Sequence, residues 1–355
     1  MELQPLRSYT RICMLIQFLG ICWGVPASVP AAGPADAGTS SIRRPSGAIK
    51  ISANLVTVPV AVTDASGSPV AGLGIGDFEI EEDGRAEAIS RLIQAGESPL
   101  QLVLLMDLSG SVHSSFEFER TAACRFMEKV WKPGDTVSVI TLGSEPSLRL
   151  EASPSPGEVM QILSGLQPTG DATAFFDSVV LAAELLERST AAETRQAAVI
   201  LSDGEDNRSD HRFADALSSV RRSNTVVYSV NPSGPSVRLN AISATGQRWL
   251  SALAGKTGGA AFVSNRASDL DGIYDRIAFE LRAQYLLSYH SSNTRADGTF
   301  RTISVTVPGK PQLRIRARQG YYATDMAPGL QTQAVGPAAG AAGEGAGSTA
   351  LEGAH

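Results

Sequence analysis

Three polar residues whose side chains could bind a ligand or take part in a reaction follow an apolar run in the stretch LQLVLLMDLSGSV: Asp107, Ser109 and Ser111. Two more occupy comparable places further along: Thr173 in PTGDATAFFD, and Asp203 after QAAVILS. Their hydroxyl and carboxylate groups are hard oxygen donors, which suit Mg²⁺, Ca²⁺ or Mn²⁺ better than metals that prefer sulfur. Two carboxylates would balance the charge of a divalent ion. The five residues therefore predict a cation site, provided that the fold brings three distant segments together.

The first of these segments has a second interpretation. Serine and aspartate are preferred at helix N-termini, and SSFEFERTAACRFMEKVW, which follows, has the spacing of an amphipathic helix. The loop at 107–111 by itself leaves a helix cap and a metal site equally open. Thr173 and Asp203, placed beside other predicted elements, favour the metal site.

The elements that must position these residues form three zones. Residues 49–97 alternate as strands do, with a long strand in IKISANLVTVPVAVTD and two strands around Asp83-Gly84. Residues 100–290 alternate short apolar strands with amphipathic helices, and residues 285–323 return to strands. The pattern predicts an α/β fold with a doubly wound, mostly parallel sheet, flanked by a β-strand module built from the N- and C-terminal segments. In such a sheet, binding sites lie at the carboxyl ends of the strands.

The N-terminus has the features of a secretory signal peptide over residues 1–27. Arg7 and Arg11 precede a twelve-residue apolar run, and GVPAS supplies small residues for cleavage. The run is shorter than the roughly 20 residues that a membrane-spanning helix needs. Lipidation at Cys22 is the alternative. The sequence thus predicts an exported protein, periplasmic, extracellular or associated with the cell envelope, with no membrane span after cleavage.

The remaining boundaries follow composition and period. Residues 28–48 are expected to be a flexible linker, and the Gly/Ala-rich residues 324–355 a disordered tail. Between them we expect an N-terminal β module at 49–97, a metal-binding domain at 98–290 and C-terminal strands at 291–323. Signal cleavage would leave Cys124 as the one cysteine, so no intramolecular disulfide is expected.

The overall charge argues against a nucleic-acid partner. The formal net charge is −6, and lysine and arginine form no cluster along the chain. The acid-rich loop DGEDNRSD at 203–210 has two interpretations, a calcium loop or a solvated loop in which Asp210 caps the next helix.

The trio DLSGS, ATAFFD and LSDGEDN resembles the metal-ion-dependent adhesion site of von Willebrand factor type A domains. The flanking strands are similar to those of VWFA-related proteins of Acidobacteria, and the resemblance extends over about residues 50–323. It implies that Ser109, Ser111 and Thr173 are direct or near-direct ligands, and that Asp107 and Asp203 bind directly or through water. One difference is TGDATAF, where the family more often has two glycines before the threonine.

The family resemblance also implies a function. It predicts a non-enzymatic, adhesion-type protein whose bound Mg²⁺, Ca²⁺ or Mn²⁺ meets an Asp or Glu of a protein ligand. Two alternatives stay open. One is a metal-assisted hydrolase with Asp107 as nucleophile or Asp203 as base, and the other is a structural subunit of an envelope assembly. No Gly-x-Ser-x-Gly nucleophile motif is present.

Overall fold

The computed structural model of the protein describes residues 55–110, 116–170, 172–188, 194–232, 241–264 and 266–324. The strands in chain order are β1 (Leu55–Thr63), β2 (Glu79–Glu82), β3 (Arg85–Glu87), β4 (Ile89–Ile93), β5 (Leu100–Asp107), β6 (Thr136–Leu142), β7 (Ser147–Ser153), β8 (Arg195–Leu201), β9 (Val226–Asn231), β10 (Ala261–Val263), β11 (Tyr285–His290), β12 (Phe300–Thr306), β13 (Arg314–Ala317) and β14 (Gly320–Tyr322). The helices are α1 (Phe116–Val130), α2 (Pro156–Gly165), α3 (Phe175–Glu187), α4 (Phe213–Arg222), α5 (Ala241–Thr257) and α6 (Leu270–Ala283).

Six strands form the central sheet in the order β10-β9-β8-β5-β6-β7. All neighbours are parallel except β7, which runs antiparallel at one edge. The chain first builds outward from β5 to β6 and β7, then returns to the other side of β5 with β8. The direction of winding therefore reverses between β5 and β8, which makes their carboxyl ends the topological switch point of the sheet.

Both faces of this sheet are covered by helices, as the uninterrupted apolar run of β5 predicts. Leu102 and Leu104 pack into a core shared with α1, α2 and α6. Val103 and Leu105 point the other way, into a core shared with α3, α4 and α5. The predicted doubly wound α/β fold is confirmed.

The edge strand β7 and helix α2 were not predicted from the sequence. SLRLEAS has polar residues at most positions, because an edge strand that is largely exposed needs no apolar run. Helix α2 begins at Pro156, after Ser155 caps it by accepting a hydrogen bond from the Glu158 backbone N–H at 3.4 Å. These two elements supply part of the connection that ends in the Thr173 loop.

The flanking strands form two four-stranded antiparallel sheets, ordered β13-β1-β11-β4 and β14-β12-β2-β3. Each sheet combines strands from before and after the central domain, so the predicted module built from both segments is confirmed. The segment around Asp83-Gly84 differs from expectation, since it contains three strands. β3 pairs with β2, whereas β4 pairs with β11 in the other sheet, and the chain has to change sheets between them.

The two module sheets share one apolar core. It includes Val58 of β1, Phe78, Tyr285 and Leu287 of β11, and Ile303 of β12. The rings of Phe78 and Tyr285 meet edge to face with centroids 5.3 Å apart. Neither terminal segment contains this core alone, because its residues come from both.

The module lies at the amino ends of the central strands. Asn224, two residues before β9, donates from Nδ2 to the Thr57 carbonyl of β1 at 3.4 Å. Similarly, the backbone N–H of Gln319 donates to the carbonyl of Lys256, at the end of α5. In the described residues, these contacts lie opposite the carboxyl ends of the strands, in agreement with the sequence-based expectation.

Several predicted segments lie outside the described residues. These are the signal peptide at 1–27, the linker at 28–48 and all but the first residue of the tail at 324–355. Among the residues that are described, no helix combines the length and the apolar character needed to cross a membrane. Cys124 is a free thiol in α1, packed partly against the core, and burial raises its pKa.

Candidate metal centre

Asp107 is the last residue of β5, and its side chain is fully buried. Both carboxylate oxygens accept hydrogen bonds. The Ser109 backbone N–H donates to Oδ1 at 2.9 Å, and the Ser202 hydroxyl donates to Oδ2 at 2.6 Å. Because the two donors come from different loops, they hold the carboxylate in one orientation at the end of the sheet.

The pKa of Asp107 is raised above the usual value for an aspartate. Burial is the largest cause, since it disfavours the charged form, and hydrogen bonds from Ser202 and Ser109 oppose it. The negative charge of Asp203 raises the pKa further. The two acids are therefore close enough for their charges to interact.

Asp203 lies in the loop that follows β8 and is 4% exposed. Its Oδ1 accepts a hydrogen bond from the Glu205 backbone N–H at 3.0 Å. The next residue, Gly204, has φ +76°, and a Cβ there would lie 2.6 Å from the Gly246 carbonyl oxygen of α5. Only glycine fits this contact, which presses the loop against α5 and fixes the path of the Asp203 backbone.

Thr173 precedes α3 and is 3% exposed. Its N–H donates to Asn207 Oδ1 at 2.9 Å, and its carbonyl accepts from the Asn207 N–H at 3.1 Å. On the other side, the N–H of Ala174 donates to the carbonyl of Gly143, just beyond β6, at 2.7 Å. The Thr173 backbone is thus held between the loop that contains Asp203 and the end of β6.

The loops after β5 and before α3 also contact each other directly. The carbonyl of Leu108 accepts hydrogen bonds from the N–H groups of Thr169 at 2.8 Å and Gly170 at 3.2 Å. A Cβ on Gly110 would lie 3.6 Å from the Gly170 carbonyl oxygen, so the two backbones run side by side. This pairing brings the Ser109 loop to the segment that ends in Thr173.

Four of the five predicted ligands thus lie in three loops joined by hydrogen bonds at the carboxyl edge of β5 and β8. They are Asp107, Ser109, Thr173 and Asp203. The fifth, Ser111, lies outside the described residues, as does Asp171, one of the two residues (with Ala172) that replace the family's glycines.

The donor set fits a hard divalent cation. Two carboxylates and the hydroxyls of serine and threonine are oxygen ligands of the type that Mg²⁺, Ca²⁺ and Mn²⁺ take. The described ranges contain no group of three or more His, Cys, Asp or Glu side chains suited to a metal. A cation at this edge would therefore depend on hydroxyl oxygens to complete its protein ligands.

Two further residues support the site and were not identified from the sequence pattern. Ser202 orients Asp107, and Asn207 orients Thr173. The sequence could have indicated Ser202, because a serine directly after an apolar strand lies where β8 reaches the switch point. Nothing in the sequence around Asn207 indicates its role, because Thr173, to which it bonds, lies 34 residues earlier.

In the acid-rich loop at 203–210, the predicted helix cap by Asp210 is wrong. Asp210 does not cap α4; the N–H of Arg212 instead bonds to Asp215 Oδ2 at 2.9 Å. Asp206 accepts a hydrogen bond from the Phe175 N–H at 2.9 Å, and so caps α3 from a distant loop. At least one acid of this loop therefore serves as a helix cap, although for α3 and not for the next helix.

The comparison with protein families agrees with this geometry. The model of the von Willebrand factor type A (VWA) domain matches residues 102–205, a span that contains all five predicted ligands. Residues 102–205 form a VWA domain. The predicted resemblance is confirmed at the level of the domain, while the narrower likeness to an Acidobacterial group stays a prediction.

Several solved structures are similar to the chain that contains this VWA domain. BatB from Bacteroides thetaiotaomicron is 12% identical, over 52% of this chain and 100% of that chain, with a TM-score of 0.42. An aerotolerance-related membrane protein from Bacteroides fragilis is 17% identical, over 51% and 98%, with a TM-score of 0.41. Proximal thread matrix protein 1 from the mussel byssus, with zinc in its MIDAS motif, is 14% identical over 56% and 49%, with a TM-score of 0.45. No curated protein matches the chain.

Proposed function

We propose that the VWA domain binds one divalent cation, Mg²⁺, Ca²⁺ or Mn²⁺, and that the bound ion recognises a carboxylate of a protein partner. The protein ligands would be Asp107, Ser109, Ser111, Thr173 and Asp203. The observation that carries the proposal is the junction of three loops at the switch point, where two buried carboxylates lie beside serine and threonine residues. We further propose that the protein acts outside the cytoplasm, as its N-terminal sequence predicts.

Charge supports a cation at this junction. Asp107 and Asp203 are both more than nine-tenths buried, and their charges interact unfavourably. Within the described residues, neither acid forms an ion pair with a lysine, arginine or histidine. Buried carboxylates are normally paired or bound to a metal, because an unpaired buried charge is costly. A divalent ion would offset both charges.

The same ligand set accounts for recognition of an acidic partner. Serine and threonine hydroxyls are neutral, so they leave the charge of the ion less completely balanced than a cage of carboxylates would. When bound, the ion would supply a positive centre for one further oxygen ligand. A partner's Asp or Glu side chain has the charge and the hard oxygen donor to fill that position.

The environment of Asp107 favours binding over hydrolysis. A nucleophilic carboxylate has to reach its substrate, whereas the Asp107 side chain has no exposed surface and is held in place by two hydrogen bonds. Each bond still leaves its carboxylate oxygen a lone pair for an ion or a bound water. The proposed role of Asp107 is to hold the ion or its bound water. Turnover of phosphate esters by the purified protein with Mg²⁺ would contradict this role.

Isothermal titration calorimetry with Mg²⁺, Mn²⁺ and Ca²⁺ tests the metal site. We expect one ion per chain, with an affinity in the roughly millimolar to micromolar range. Ser109→Ala removes a proposed ligand and should weaken binding at least about tenfold. Ser66→Ala is a matched control, because Asp64, Ser66 and Ser68 repeat the Asp-x-Ser-x-Ser spacing in an exposed turn. Flat titrations of the parent protein with all three ions would refute the proposal.

Affinity capture tests the partner. Immobilised protein is incubated with envelope extract of the source organism in Mg²⁺ or in EDTA, and retained proteins are identified by mass spectrometry. We expect a partner that is retained in Mg²⁺, is released by EDTA, and binds Ser66→Ala but not Ser109→Ala. A partner retained equally in EDTA would instead favour a structural subunit.

A further inference from the structure

A recess lies at the seam between the central α/β domain and the β module, far from the carboxyl edge of the sheet. The end of α4 and the segment after it supply Arg221, Asn224 and Thr225, and the end of α5 supplies Thr257. The module contributes Arg318, between β13 and β14. Two arginines from separate parts of the fold therefore line one small space.

Three buried polar atoms in this recess have no hydrogen-bond partner. They are Arg221 Nε, Asn224 Oδ1 and Arg318 Nε. The lining hydroxyls are already engaged, since Thr225 bonds to Ser223 at 2.7 Å and Thr257 donates to the Leu253 carbonyl at 2.8 Å. The recess is too narrow in this conformation to hold a water molecule. Buried polar groups without partners destabilise a protein, so three such groups on residues that line one recess make it a candidate site for a polar ligand.

Both guanidinium groups are held by their faces. Arg221 lies over the ring of Phe300 at 4.4 Å from its centroid, and Arg318 lies near the ring of Tyr321 at 5.4 Å. Stacking of this kind positions a guanidinium but leaves its N–H edge available. In the described part of the chain, neither arginine forms an ion pair or donates a side-chain hydrogen bond to the protein.

The nearby carboxylate, Glu82, does not balance these charges. Its oxygens accept hydrogen bonds from Tyr289 and Ser291 and pair with Arg301 at 3.3 Å. Arg318 is 9% exposed, and burial lowers its pKa to about 10, although the charge of Glu82 acts in the opposite direction. Arg301 and Arg318 thus share one acid, and Arg221 lies on the other side of the recess, which leaves an excess of positive charge.

We propose that this recess binds hydrogen phosphate, as the free ion or as a terminal phosphate group. The free N–H edges of Arg221 and Arg318 would donate to its charged oxygens, which is the pairing that guanidinium groups favour. The oxygen Asn224 Oδ1 can only accept, because its amide nitrogen already donates to the Thr57 carbonyl. It therefore selects an anion that keeps a protonated oxygen near neutral pH, as phosphate does and sulfate does not. Because the recess is closed in this conformation, binding requires the partly exposed Arg221 side chain to move away from Arg318 far enough for the ion to lie between the two guanidinium groups.

Binding is tested on the full chain in EDTA, which removes divalent metal and separates this site from the proposed metal site. Sodium phosphate and sodium sulfate are compared at equal ionic strength by calorimetry and by thermal melting. We expect saturable binding of phosphate that raises the melting temperature, with at least tenfold weaker binding of sulfate. A phosphate monoester is a third arm, and competes with the free ion if the site takes a terminal phosphate group.

Variants locate the site. Arg221→Gln should weaken phosphate binding about tenfold or more. Arg222→Gln is the matched control, because it removes the same charge from the next residue, which bonds to Ser219 outside the recess. Asn224→Gly suits the backbone, where φ is +54°, and removes the acceptor oxygen, so the preference for phosphate over sulfate should be lost. Equal phosphate binding by Arg221→Gln and the parent protein, or no saturable binding by the parent, would overturn the proposal.

Discussion

The pattern Asp-x-Ser-x-Ser occurs twice in this chain, and the two copies have different environments. In the exposed turn after β1, Asp64 accepts hydrogen bonds from Ser66 and Ser68, and these bonds lower its pKa. At the end of β5, burial raises the pKa of Asp107 instead. The residue types are the same, so the chemistry of each copy depends on whether the sheet buries its acid. At the residue scale, the motif is a candidate site only where its acid is buried at the switch point of the central sheet.

We expect Ser202→Ala to weaken metal binding without removing a ligand. The variant deprives Asp107 Oδ2 of its 2.6 Å hydrogen bond, so the carboxylate loses its fixed orientation. Loss of a group that orients a ligand typically costs about 10- to 100-fold in metal affinity. Calorimetry with Mg²⁺ measures the effect. Ser229→Ala is the control, since Ser229 is equally buried on the neighbouring strand β9 but bonds to α5. Equal losses in both variants would indicate a general packing effect.

At the scale of elements, helix α3 shows how the loops of the site depend on one another. Its N-cap residue is Ala174, which has no side-chain oxygen. The cap comes instead from Asp206, which is fixed by a hydrogen bond from Ser209 at 2.5 Å and accepts one from the Phe175 N–H. The loop after β8 therefore stabilises the start of α3 and, through the neighbouring Asn207, the position of Thr173.

Asp206→Ala should lower the free energy of unfolding by about 1 kcal/mol, the usual effect of losing a helix cap. Urea denaturation followed by circular dichroism measures the change. Asp210→Ala is the control from the same loop, because within the described ranges Asp210 bonds through its backbone N–H, to Asp177 Oδ2, and its side chain caps no helix. An Asp210→Ala variant as unstable as Asp206→Ala would show that the cap is not the cause.

At the scale of the whole molecule, the central α/β domain is enclosed by a β module whose two halves are distant in the sequence. Strand β11 lies between β1 and β4, and β12 lies between β14 and β2, so that each module sheet combines strands from both ends of the chain. Pairing β1 with β11 closes a loop of more than 200 residues, which contains the complete central sheet. Such non-local pairing forms slowly, and we expect the central domain to fold before the module.

Deleting residues 49–97 should cause aggregation. The deletion removes the neighbours of β11 and β12, which would expose Tyr285, Leu287 and Ile303 together with unpaired strand edges. Size-exclusion chromatography and thermal melting give the readout. A chain ending at Thr324 is the control, because the Gly/Ala-rich tail is expected to bury little apolar surface. A monomeric deletion variant that melts like the parent protein would show that the C-terminal strands do not need the N-terminal ones.

The sequence by itself determined the class of fold and identified four residues that the structure brings together at the switch point, and it predicts a cation site there. Apolar runs mark buried parallel strands, and oxygen ligands at their ends indicate a hard cation, because both signals are local. Only the tertiary structure shows the edge strand β7 and the change of sheet between β3 and β4. It also shows the roles of Ser202, Asp206 and Asn207. Each depends on a partner distant in the sequence, or on exposure at a sheet edge. The convergence of Arg221 and Arg318 is of the same kind, since no spacing links residues 97 positions apart until α4 and β14 pack together.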